Sequence, residues 1–156
     1  MIETHISNIF VGKDRAYIYI WYSIGYKVIY VGMTNSRLGT LGRAFQHLCS
    51  DGTLRTNFER ELGFGIDDTD DFRLFSFLLP QEKIFTSVER SYREAVEYLI
   101  QKQLIERQSI TNIYYKIISW VRDSPRSSNS YVRSIATEIV ETFIERLEKI
   151  AENNQT

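Results

Sequence analysis

Residues 17–47 read YIYIWYSIGYKVIYVGMTNSRLGTLGRAFQH, and this stretch decides the fold. Its first half is rich in Tyr, Ile, Val and Trp, residues that suit a pleated and half-buried strand. The run breaks at Ser23-Ile24-Gly25-Tyr26, so residues 16–32 are expected to form a β-hairpin. Alternation puts Tyr17, Tyr19 and Trp21 on one face and Ile18, Ile20 and Tyr22 on the other. Gly32 ends the second strand, where a missing side chain permits close approach of a neighbour. Residues 33–39 carry loop signals. Residues 41–48 then show helical spacing, with Leu41, Ala44, Phe45 and Leu48 expected to face the core.

Outward from this stretch the pattern continues as helix and strand. Residues 54–62 suggest a short helix, and FRLFSFLL at 72–79 a third strand closed by Pro80. A long helix is expected over 81–106, with Ile84 or Phe85, Val88, Tyr92, Ala95 or Val96, and Leu99 on its apolar stripe. Two more helices are expected near 109–122 and 131–152, separated by the loop signal DSPRSSNS. Ile110, Ile113, Tyr114, Ile117 and Val121 would line the first, and Ile135, Ile139, Phe143 or Ile144, and Leu147 the second. The expected class is α/β in the α+β sense: a small three-stranded sheet with a β-hairpin, flanked by helices. Residues 1–106 would form the principal domain and 107–156 a C-terminal helical extension packed on it.

Bulk composition narrows the function classes. The 156 residues suit one domain, with 43% apolar and 25% charged residues. No apolar run approaches the roughly 18 residues that cross a bilayer, so no membrane association is expected. A single cysteine, Cys49, allows no internal disulfide and points to the cytoplasm. The net charge of −1 confines any nucleic-acid contact to a local basic patch. Asp67, Asp68, Asp70 and Asp71 form one acidic run, and Glu138, Glu141, Glu145 and Glu148 a second.

Several side chains could carry chemistry. Tyr19 and Tyr30 sit on adjacent hairpin strands, where positive charge nearby would ease loss of the phenolic proton. Arg43 and His47 are four residues apart, one turn on a helix. A guanidinium grips two phosphate oxygens at once, and an imidazole beside it can move a proton. Phosphoryl chemistry favours a hard cation held by few carboxylates. Glu89, next to Val88 of the stripe, is the leading ligand, with Glu94 and Glu97 as alternatives. Glu82, in the expected first turn, more simply opposes the helix dipole.

In combination these residues resemble the GIY-YIG endonuclease family over roughly residues 16–100. Tyr17-Ile18-Tyr19 matches the first motif, with tyrosine where the family usually has glycine. Tyr30-Val31-Gly32 matches the second, with Val for Ile. Arg43, His47 and the run Glu89-Arg90-Ser91-Tyr92-Arg93 match the family's helix arginine, histidine and glutamate. The resemblance implies a divalent-metal-dependent endonuclease acting on DNA, with RNA left open, using Mg²⁺ or Mn²⁺ on Glu89. Tyr19 would act as a phenolate base and Tyr30 would orient the water. Arg43 would hold the phosphate, His47 would assist, and Lys27 would lend charge or serve as another base. Arg37, Arg43 and Asn129 would bind substrate. The alternative is a catalytically inert relative that binds nucleic acid or protein. A homodimer or a partner subunit through the C-terminal helices is a further expectation.

Overall fold

The computed structural model describes residues 15–68, 72–109 and 113–153. The hairpin forms as expected, from β1 (Tyr17–Ser23) and β2 (Val28–Thr34). Their antiparallel register sets Tyr19 opposite Gly32 and Trp21 opposite Tyr30. Lys27 lies in the turn rather than on the second strand, and takes a left-handed backbone at φ 53°. Helix α1 (Gly39–Leu48) and helix α2 (Thr53–Leu62) follow, then β3 (Phe72–Leu78), antiparallel to β1.

The expected helix over 81–106 is two helices. A single turn, α3 (Lys83–Thr86), ends at Ser87, and α4 (Ser91–Arg107) begins four residues later. The break is held by polar bonds. Buried Arg93 donates to the carbonyls of Phe85 and Ser87, and Asn35 Nδ2 donates to the Ser87 carbonyl at 3.0 Å. Val88, expected in the core, sits in this break and is 96% exposed.

The segment expected as a helix over 109–122 is not helical where it is described; Ile110 lies outside the described residues. It contributes a fourth strand, β4 (Lys116–Ile117), parallel to β2 beside Val28 and Ile29. Tyr114 of its expected stripe is exposed, while Ile117 is buried. The sheet therefore has four strands in the order β3-β1-β2-β4. Helix α5 (Ser130–Asn153) closes the fold, and its stripe of Ile139, Phe143, Ile144 and Leu147 is buried. That stripe belongs to the chain's own core.

Two apolar layers cover the sheet. Ile18, Ile20, Ile29 and Val31 pack with α4 and α5 on one face. Tyr19, Trp21, Val28 and Tyr30 pack with Ala44, Leu54 and Phe58 of α1 and α2 on the other. The first layer joins Leu99 and Leu104 to Tyr115, Ile117 and Val132, so the core does not divide at residue 106.

Candidate active site

The site begins at the cross-strand pair Tyr19 and Gly32. The Tyr19 ring lies over the glycine: a Cβ built there would fall 2.3 Å from both Cζ and the hydroxyl oxygen. No residue but glycine leaves this space, and the phenol is thereby carried across β2.

Helix α1 presents to the sheet a face different from the expected one. Ala44 and His47 are buried, whereas Leu41, Phe45 and Leu48 are exposed. The expectation followed hydrophobicity, but a polar network satisfies the buried face instead. His47, only 2% exposed, places Nε2 2.6 Å from the Tyr19 hydroxyl. Its Nδ1 stands 2.9 Å from Thr53 Oγ1, which in turn lies 3.0 Å from the Tyr30 hydroxyl. The tight turn between α1 and α2 makes the middle link. A Cβ on Gly52 would meet the His47 carbonyl at 2.2 Å, so glycine allows Thr53 to fold back onto the imidazole.

The electrostatics follow from burial. Burial pushes the His47 imidazole down to about 4, helped by the charge of Arg43, so the ring is neutral at physiological pH. Burial also raises both phenols, and a negative Glu97 raises them further. Arg43 opposes this, acting on Tyr19 by charge and hydrogen bonding and on Tyr30 by charge. A stored phenolate is therefore not the resting form of Tyr19 in the protein alone. Arg43 is half-buried and donates from Nη1 to Gln46 Oε1 at 2.6 Å.

Among the glutamates weighed, Glu97 is the one whose charge acts on both phenols. Helix α4 packs on the sheet face opposite the hydroxyls, yet it runs beside β2, whose pairing with β4 stops at Ile29. Past that point the β2 edge carries no strand among the described residues. Burial pushes the Glu97 carboxyl up to about 8, Glu94 adds to the shift, and Arg43 and Arg90 oppose it. One helix run from 81 favours Glu89 over Glu97; the break before Ser91 removes that preference. The Ser91-Tyr92-Arg93-Glu94 spacing suggests a start within one residue of the observed one, although the N-cap is Arg90 and no side chain caps it. Thr53 carried no such signal.

Other expected residues stand elsewhere. Glu89 lies in the break before α4, exposed, and its carboxylate accepts the Ser91 N–H at 2.8 Å. Hydrogen bonding from the Ser91 side chain, and then from its N–H, holds the Glu89 carboxyl below the usual carboxylate range. Asn129 Oδ1 accepts from the N–H groups of Tyr131 at 2.9 Å and Val132 at 3.2 Å, which is a helix-cap role at the start of α5. Arg37 is exposed in the loop before α1, and Lys27 lies in the hairpin turn.

A divalent cation fits Glu97 better than Glu89. The Glu97 carboxyl accepts no hydrogen bond among the described residues, and a cation there would relieve the burial of its charge. Those residues also contain no group of three or more His, Cys, Asp or Glu side chains that could hold a metal ion. The arrangement suits a hard ion that takes one carboxylate and completes its shell with water and phosphate. No helix among the described residues is long and apolar enough to cross a membrane. No protein-family model, no curated protein and no solved structure matches the chain.

Proposed function

We propose that this chain is a divalent-metal-dependent phosphodiesterase of the GIY-YIG type that hydrolyses nucleic acid, with DNA as the expected substrate. The observation that carries the reading is the chain of contacts Tyr19–His47–Thr53–Tyr30, flanked by Arg43 and Glu97. Glu97 would hold a Mg²⁺ or Mn²⁺ ion, which would supply positive charge to the phosphate and lower the cost of ionising nearby oxygens.

The chain's own residues do the rest. Neutral His47 carries one ring proton. With that proton on Nδ1, donated to Thr53 Oγ1, Nε2 accepts the Tyr19 hydroxyl proton. Tyr19 can then take a proton from the attacking water while passing its own to Nε2. This relay does not require a phenolate to accumulate beforehand. Thr53 holds the ring in place through Nδ1, and its hydroxyl can accept the Nδ1 proton that this tautomer requires. Arg43 binds the phosphate oxygens and stabilises the added negative charge as the water–phosphorus bond forms and the leaving oxygen departs. Tyr30, tied to Thr53, orients the water.

The test is hydrolysis of plasmid and of single-stranded oligonucleotides, both DNA and RNA, in Mg²⁺, Mn²⁺ or EDTA. Products that need the ion and vanish in Arg43→Ala support the reading. Nucleic-acid binding that is metal-independent and yields no product would favour the inert binding module.

A further inference from the structure

The face of α1 turned away from the sheet carries Leu41, Phe45 and Leu48, and the N-cap Leu38 extends it, spaced three, four and three residues apart. Leu38 and Phe45 are 70% and 74% exposed, and Leu41 and Leu48 are 39% and 41% exposed. At this spacing they form one stripe of about 15 Å along a helix. Isolated exposed apolar side chains are ordinary, but a helix-long stripe marks a contact surface.

We propose that this stripe seats a second copy of the chain, with the two α1 helices packed antiparallel about a two-fold axis. Three observations select that occupant. Along the helix the stripe is bordered by Gly42, Ala44 and Gln46, all uncharged; Arg37 stands at one end, and Arg55 at the other is paired with Asp67. Nucleic acid would call for cations on such a rim, and a helix lying on a membrane for a Lys- and Arg-rich polar face. The 3-4-3 spacing is that of a coiled-coil seam and is complementary to itself. Run antiparallel, Leu38 meets the partner's Leu48, and Leu41 meets the partner's Phe45. Charge then chooses the direction. Arg37 precedes the stripe and Asp51 follows it; both are exposed, and neither is in an ion pair among the described residues. Antiparallel packing brings Arg37 towards the partner's Asp51 twice, whereas parallel packing would set like against like.

Arg43 and His47 lie on other faces of α1, so the pairing leaves the candidate site open. The inference does not rest on the proposed phosphodiesterase activity. Four side chains per copy fall well short of the roughly 20–30 residues a side in a standard interface, so the pairing is weak and concentration-dependent.

Sedimentation equilibrium on the full chain, from dilute solution to the solubility limit, tests it. The expected mass climbs from one chain towards two. Phe45→Glu is expected to stay at one chain throughout, with unchanged circular dichroism and melting, because its side chain is exposed. Arg37→Asp weakens the association, and Arg37→Asp with Asp51→Arg restores it. The proposal is overturned by a single-chain mass at every concentration, or by association that Phe45→Glu leaves intact. It is equally overturned if Phe45→Glu abolishes binding to phosphatidylglycerol-containing vesicles by a chain that never dimerises.

Discussion

Tyr19 and Gly32 face each other across the first two strands, and the ring of one fills the side-chain space of the other. Gly32→Ala therefore sets a methyl group against the phenol, on a strand paired with the one that carries the phenol. Overpacking of this kind costs about 1–3 kcal/mol. Urea unfolding should show that loss, and hydrolysis should fall further than the stability change explains, because the Tyr19 hydroxyl moves away from His47 Nε2.

The buried imidazole gives an acid-side signature. Its value drops from 6.5 to about 4 on folding, so its contribution is complete above about pH 6.5 and is lost as the pH falls towards 4. The span is on the order of 3 kcal/mol. His47→Ala should lack this dependence, while losing about 1–3 kcal/mol at neutral pH from the unpaired Tyr19 hydroxyl. Melting of both proteins from pH 4 to 8 checks this: the gap between them should narrow on acidification.

Glu97 has the opposite sign. Its value rises from 4.5 to about 8 on folding, so stability is complete below about pH 4.5 and is lost as the pH climbs through 8. Glu97→Gln removes that burden. In EDTA the variant should match the parent near pH 4.5 and exceed it at pH 8.5, by a few kcal/mol at most. Equal melting at both pH values would show that the carboxyl is not held in a low-dielectric setting.

Arg43 and Glu89 separate chemistry from local structure. Arg43→Ala should lower kcat on the order of 10²–10³-fold, the scale for removing one transition-state donor, with little effect on folding. Glu89→Ala loses local bonds to Ser91 at the start of α4 and should keep its activity. Steady-state hydrolysis rates of the two variants decide the matter, and a dead Glu89→Ala would return the metal to the break before α4.

The hairpin was legible from alternation and the turn, but its register was not: the turn includes Lys27, which sets Tyr19 against Gly32. Helix α1 was legible in extent but turned the wrong way. Leu41, Phe45 and Leu48 look like core, yet the face that packs is held by His47 and its hydroxyl partners, which hydrophobic periodicity cannot weigh. Short apolar runs also fit two periods. Ile113, Tyr114 and Ile117 obey a helical spacing, but the segment supplies the two-residue β4. The break at 87–90 is held by side-chain to backbone bonds from Arg93 and Asn35, which hydrophobic periodicity does not register.

The most direct measurement is a Mn²⁺ titration of the full chain followed by electron paramagnetic resonance, with Glu97→Gln and Glu89→Ala alongside. One bound ion per chain is expected for the parent and for Glu89→Ala, and none for Glu97→Gln. Undiminished Mn²⁺ binding in Glu97→Gln would contradict the assignment of the site.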